Sequence, residues 1–247
     1  MHKMDFSNGL RLLTEPLRKL LPNHCYLCGD ISREFLCLGC RGDLPTHGRA
    51  CRCCALPVST EFGAASANPD TLLCGDCLKY PKPFDRTLAA FTYSHPLDFL
   101  INRFKHHRHF VCGNYLSRYL VSAVHTAYAN KSLPDLMLPM PLHWTRHFKR
   151  GFNQSDAIAW QLHKNLSIPL AHHCRRLKHN PRQQGLKRKE RLRNLTQAFT
   201  VDSRLEGLHV ALIDDVMTTG ATVTELSQCL RQAGAARVDV WVLARVV

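Results

Sequence analysis

The chain has 247 residues, 45% of them apolar, enough for one ordinary α/β domain and a small additional module. Its 33 lysines and arginines against 19 acids give a formal charge of +14, which points to an anionic partner, either the phosphates of a small ligand or nucleic acid. No run of about 18 apolar residues is present, which excludes a membrane-spanning helix, and the first seven residues carry no apolar secretory signal, so a cytoplasmic protein is expected.

Leu10, Leu13, Leu17 and Leu20 recur at helical spacing, with Pro16 as a break. Most of the twelve cysteines follow at once. Cys25 and Cys28 form one C-x-x-C pair, and Cys37 and Cys40 a second, separated by a short loop. Cys51 and Cys54, then Cys74 and Cys77, repeat the arrangement across a longer loop at 56–71. A C-x-x-C turn presents two thiolates to one ion, and two turns complete the tetrahedron that zinc accepts. These eight cysteines are therefore expected to hold two structural Zn²⁺ ions. Four thiolates leave no open coordination position for a substrate, and a redox site of the thioredoxin kind needs a single C-x-x-C at a strand–helix junction. The spacing leaves open a sequential or a cross-braced pairing, and a substitution of Cys53 for Cys51 or Cys54. It equally leaves open whether the module binds nucleic acid or protein, or braces the rest. Cys112, Cys174 and Cys229 are isolated and read as small core residues. Tyr80-Pro-Lys-Pro-Phe84 closes the module, so residues 1–84 are expected as a helix plus double zinc ribbon and residues 85–247 as a second domain.

Beyond that boundary, Leu88 to Tyr93 reads as a strand and Pro96 to Arg108 as a helix, with Leu97, Leu100, Ile101 and Phe104 on one side. Tyr115 to Ala129 is a second helix, Leu136 to Pro139 a short strand, and Gln154 to Leu166 a third helix. Residues 175–193 are strongly basic, with Arg175, Arg176, Lys178, Arg182, Lys187, Arg188, Lys189, Arg191 and Arg193 against the single acid Glu190. Val210 to Ile213 is a buried strand, Val223 to Ala233 a helix stopped by Gly234, and Val238 to Leu243 a last strand. Strands alternating with helices predict an α/β fold, a parallel sheet with helices on both faces.

Ligands of open α/β sheets bind at the carboxyl ends of the strands, and there the sequence places Asp214 and Asp215. Carboxylates accept hydrogen bonds from both hydroxyls of a ribose. Thr218, Thr219, Gly220, Ala221 and Thr222 follow, small residues leading into a helix N-terminus, where backbone N–H groups and the helix dipole favour a phosphate. The Gly-Lys-Ser/Thr of a nucleotide P-loop and the spaced glycines of a dinucleotide site are missing from this segment. The loop after Pro139 supplies Arg146, Lys149 and Arg150 as cations for a pyrophosphate, with Gly151 allowing a close backbone turn.

The run Asp214-Asp-Val-Met-Thr-Thr-Gly-Ala-Thr222 resembles the phosphoribosyl pyrophosphate (PRPP) motif of type I phosphoribosyltransferases. That resemblance implies ribose binding by Asp214 and Asp215 and 5′-phosphate binding by Thr218 to Thr222. Thr218 stands where the members acting on 6-oxopurines carry an acid, which argues against a hypoxanthine or guanine substrate. Read with the cysteine pairs, Leu100-Ile-x-x-Phe-Lys105, Pro139-x-Pro-Leu, Arg150-Gly-Phe-Asn-Gln154 and the stretch Gln184 to Asn194 with Arg191, the whole chain resembles the ComF/GntX family. Membership implies a double zinc ribbon followed by a type I phosphoribosyltransferase fold. It also implies a role in natural transformation or in the use of external DNA as a nutrient, with gluconate use attached to some members. The expected activity is Mg²⁺-dependent PRPP binding with transfer of a phosphoribosyl group to an unassigned acceptor. In that reaction Mg²⁺, Arg146, Lys149 and Arg150 steady the departing pyrophosphate, and residues 178–193 close as a lid. The alternative is a non-catalytic factor handling single-stranded DNA alongside other DNA-uptake or recombination proteins. Its sugar-phosphate pocket would then be vestigial or sensory.

Overall fold

The computed structural model describes residues 24–58, 71–142, 151–176 and 199–247. The leucine segment at 10–20 lies outside the described residues. Contacts divide the chain into two compact units, Met1–Leu44 and Pro45–Val247. The first is small and built around its cysteines. An isolated bridge joins His24 to Ile31, Tyr26 stacks on Phe35 with ring centroids 4.9 Å apart, and helix α1 (Leu38–Gly42) follows Cys37. Cys37 caps that helix, its Sγ accepting from the Cys40 N–H.

The second unit opens with two cysteine turns and the short helix α2 (Gly75–Lys79). It continues through β1 (Arg86–Thr92), α3 (Leu97–His107), α4 (Phe110–Ala127), β2 (Leu136–Pro139), α5 (Gln154–Leu166), β3 (Cys174–Arg176), β4 (Phe199–Val201), β5 (His209–Met217), α6 (Ala221–Gln232) and β6 (Arg237–Arg245). Strands β1, β6, β5 and β2 form one parallel sheet in that order, while β3 and β4 pair antiparallel as a separate ribbon. Strand β6 is mostly apolar and buried on both faces at every position but its first, the pattern of a central parallel strand covered by helices on either side.

Alternation assigns the two faces. Val238, Val240 and Val242 of β6 pack with Val223, Leu226 and Leu230 of α6 in one core cluster. On the other face Tyr128, one residue past α4, meets Trp241 edge-on at 5.7 Å, and α3, α4 and α5 pack on one another beside the strands. The expected α/β architecture is therefore present, a parallel sheet with helices on both faces. At the amino end of the sheet, fully buried Asp239 accepts from Tyr128 Oη, from Arg237 Nε at 3.1 Å and from Arg237 Nη2 at 2.9 Å, and lies 3.0 Å from His209 Nε2. Such a network satisfies a charge that would otherwise be costly to bury. Among the described residues no helix is long and apolar enough to cross a membrane.

Helix α4 and strand β5 differ most from their sequence-based bounds. Helix α4 begins at Phe110 instead of Tyr115, because Arg108 closes α3 in the left-handed region (φ 54°) and the chain turns at once into the next helix. No glycine marks that turn. Strand β5 runs on to Met217, since Asp214, Val216 and Met217 stay paired to β6 after β2 has ended at Pro139.

Candidate functional site

The cysteines form two groups of four, Cys25, Cys28, Cys37 and Cys40, and Cys51, Cys54, Cys74 and Cys77, with all Sγ atoms of a group within 4.8 Å of one another. Between neighbouring turns the sulfurs approach to 3.7 Å (Cys28–Cys37) and 3.6 Å (Cys54–Cys74). A tetrahedron with Zn–S bonds of about 2.3 Å has edges of about 3.8 Å, so both groups fit zinc. The pairing is sequential. Burial acts upward on Cys25 and Cys51, but backbone N–H groups around each thiol prevail and draw them down to about 6 and about 7. Burial and neighbouring thiols push Cys54 and Cys77 up instead. Thiols set against each other in this way are reconciled when a divalent cation holds all four as thiolates. Cys53 belongs to neither group: burial pushes it up to about 11, and its Sγ donates to the Phe84 carbonyl at 3.5 Å. Cys112 and Cys174 are buried core residues, and Cys229 is partly buried against the core.

At the carboxyl edge of the sheet a cleft of ≈ 420 Å³ is lined by Tyr93, Lys105, Met140, Pro141, Leu142, Gln154, Ser155, Arg176, Asp214, Asp215, Val216, Thr218, Thr222 and Val246. Asp214 and Asp215 stand on β5 beyond the last residue of β2, so no neighbouring strand covers them on that side. Asp214 Oδ1 accepts from Ser155 Oγ and from the Asp215 N–H, both at 2.9 Å. Asp215 pairs with Lys105 Nζ at 3.1 Å. Burial and the Asp215 carboxylate push Asp214 up to about 7, against the opposing pull of the Asp215 N–H, Ser155 and Lys105.

The chain then turns through Thr218 and Thr219 to Gly220, the N-cap of α6, which sits at φ 79°. A Cβ there would come within 2.7 Å of Met217 Cε, so the left-handed turn and the close packing both favour glycine. The Ala221 N–H reaches Thr219 Oγ1 at 3.3 Å, and the Thr224 N–H closes the first helical turn on the Gly220 carbonyl. Acids and a helix N-terminus thus face one cleft from a single loop.

The start of α5 explains the Arg150-Gly-Phe-Asn-Gln154 run. Asn153 caps the helix by accepting from the Ser155 N–H at 3.1 Å and donates to the Met140 carbonyl at 3.0 Å, anchoring α5 to the end of β2. Gln154, itself buried, reaches the Lys105 carbonyl at 3.5 Å, and Ser155 reaches Asp214. Gly151 has φ 71°, and a Cβ on it would lie 1.7 Å from Arg108 Nη2. The cations expected for a pyrophosphate, Arg146, Lys149 and Arg150, lie outside the described residues, as does the basic stretch 178–193. Arg176, at the end of β3, does line the cleft.

Lys105, Ser155 and Gln154 carry roles that the residue-by-residue reading did not assign. Lys105 and Gln154 stood in the motifs that suggested the family, which was the available signal. Ser155, one residue beyond such a motif, gave none.

Comparison with known proteins agrees with this architecture. The double zinc ribbon domain family matches residues 17–78. Competence protein F of Haemophilus influenzae is 35% identical over 228 residues, 90% of this chain and 95% of that protein. The DNA utilization protein YhgH of Escherichia coli (strain K12) is 34% identical over 239 residues, 92% of this chain and 99% of that protein. A solved structure of glutamine PRPP amidotransferase from B. subtilis is 18% identical with a TM-score of 0.38, covering 53% of this chain and 25% of that one. On these two relatives, each matching at least nine-tenths of this chain, the chain belongs to the ComF/GntX family.

Proposed function

We propose that the cleft binds PRPP with Mg²⁺ and that the protein acts in the uptake or utilisation of external DNA, transferring a phosphoribosyl group to an acceptor. The observation that carries this reading is the continuity of Asp214, Asp215 and the Gly220-capped helix at the carboxyl edge of a parallel sheet. In it, Asp214 and Asp215 hold the ribose hydroxyls. Thr218, Thr219, Gly220, Ala221 and Thr222 hold the 5′-phosphate, and Arg146, Lys149 and Arg150 take the pyrophosphate. Mg²⁺ keeps several waters and binds through substrate phosphates and one or two carboxylates, and the acids of this cleft suit that donor set. When bound, it neutralises charge on the departing pyrophosphate. Lys105 adds a fixed cation beside the ribose acids. In division of labour, residues 1–84 carry the zinc ligands and residues 85–247 the transferase-like sheet and cleft, in a cytoplasmic protein. The role in DNA use is supported by the names of the relatives, Competence protein F and DNA utilization protein.

A second reading, a non-catalytic single-stranded-DNA factor, is favoured by one observation. Phe110, Phe152 and Trp160 line a surface groove of ≈ 580 Å³ between α4 and α5, with Phe110 and Trp160 exposed, and Lys164 Nζ lies 6.0 Å from the Trp160 ring centre. Aromatic faces beside cations suit stacked bases. Calorimetry with PRPP·Mg²⁺ on wild type and the double variant Asp214→Asn/Asp215→Asn, paired with a DNA-utilisation assay, separates the two. The first reading expects wild-type binding that the variant loses together with DNA-related function. Absence of wild-type binding sinks it, and a variant that loses PRPP but keeps DNA-related function favours the second.

A further inference from the structure

Arg245, the last residue of β6, is 4% exposed, and among the described residues its guanidinium hydrogen-bonds to carbonyls. Nε donates to the Cys54 carbonyl at 2.8 Å. Nη1 donates to the Met217 carbonyl at 3.1 Å and to the carbonyls of Thr218 and Val246. A buried cation without a carboxylate is costly unless some other negative charge offsets it. Burial draws Arg245 below its ordinary value, and the charges of Cys54 and Cys77, two members of the second cysteine group, oppose that pull. Zinc held by four thiolates carries a formal charge of about −2. That centre and this guanidinium are therefore natural counter-charges in one apolar core, which also holds Cys51, Cys54, Cys77 and Met217.

The other end of the contact is the anion loop. Met217 and Thr218 are the two residues from which the chain turns toward Gly220, and Arg245 draws both of their carbonyls onto itself. Carbonyl dipoles turned onto a guanidinium are withdrawn from the side of the loop where an anion would meet them. The Val246 N–H fixes the same junction by donating to the Met217 carbonyl at 3.0 Å. We propose that Arg245 is a positioning residue through which the second zinc site sets the conformation of the loop Met217 to Thr222. The inference rests on the reading of that loop as the phosphate subsite, and it makes a zinc site that touches no substrate part of the binding apparatus.

The test follows amide hydrogen exchange in the loop 217–222 and in the sheet interior 238–243, in the zinc-loaded full chain. Wild type is compared with Cys74→Ser, Arg245→Gln and the double variant. The expected result is exchange roughly tenfold faster in the loop for each single variant, no further gain in the double variant, and an unchanged sheet interior. Affinity for PRPP·Mg²⁺ falls in parallel. A general structural role would loosen the sheet and the loop together, which overturns the proposal. Additive effects of the two changes, or a loop exchanging as in wild type, overturn it as well. Arg245→Lys carries the test should the neutral variants not fold: it keeps the charge but loses the fork, so the loop exchanges faster while both zinc ions are retained, and an unchanged loop overturns the proposal. Coupled exchange in a wild type that binds no PRPP upholds the positioning role and removes only the ligand reading.

Discussion

Burial and the adjacent Asp215 carboxylate raise Asp214 from an ordinary value of 3.8 to about 7. Between those values the folded chain retains a proton that the unfolded chain has lost, so stability falls as pH rises through this window and stays lower above it. At about 1.4 kcal/mol per unit, the penalty at pH 8 is on the order of 2–4 kcal/mol. Asp214→Asn escapes it while still accepting from Ser155 Oγ. Thermal unfolding should show the variant melting higher than wild type at pH 8, with the gap closing toward pH 4; a gap independent of pH would contradict the assignment. The same carboxylate is proposed to meet the ribose hydroxyls, so the stabilised variant should fail to bind PRPP. Stability sacrificed at one residue for a ligand contact is a familiar trade at binding sites. The sequence showed both acids at the right place, but not their conflict. Burial creates that conflict, and it is moderated by Ser155 and Lys105, which lie 59 and 110 positions from their partners.

At the scale of elements, the two ends of the sheet do different work. The carboxyl ends of β2, β5 and β6 frame the cleft, whereas the Asp239 network ties β5, β6 and the end of α4 together near their start. Asp239 and Arg245 lie six steps apart along the strand, about 20 Å. Removing Asp239 would strand the Arg237 guanidinium and the Tyr128 hydroxyl, so Asp239→Ala should cost about 3–5 kcal/mol in urea unfolding. PRPP affinity should hold wherever the protein remains folded, because the cleft lies at the opposite end. The strands and helices were legible in the sequence where apolar periodicity was strong: Leu136–Pro139 and Gln154–Leu166 appear at their expected bounds. The start of α4 was not legible, since it follows a left-handed arginine that no local signal announces. Nor was the extension of β5, which exists only because β6 continues beside it.

For the whole molecule, the two zinc groups sit in different surroundings. The first belongs to the small unit ending at Leu44, with Cys28 exposed, whereas three of the four cysteines of the second are buried in the core shared with the sheet. A chelator should therefore remove zinc in two phases, the first group emptying early and the more buried second group later. Monitoring zinc release against far-ultraviolet circular dichroism checks this, and a single phase would contradict it. By itself, the sequence determined what contiguous residues can encode: eight cysteines at zinc-ligand spacing, an α/β pattern, and two acids followed by a small-residue turn into a helix. Only the tertiary structure decided how the cysteines group, that Cys53 is excluded, that Lys105 and Ser155 face the acids, and that Arg245 joins Cys54 to Met217 and Thr218. Periodicity and spacing tell which side of an element is buried. They do not tell which distant side chain it meets, because that choice belongs to the packing of elements far apart along the chain.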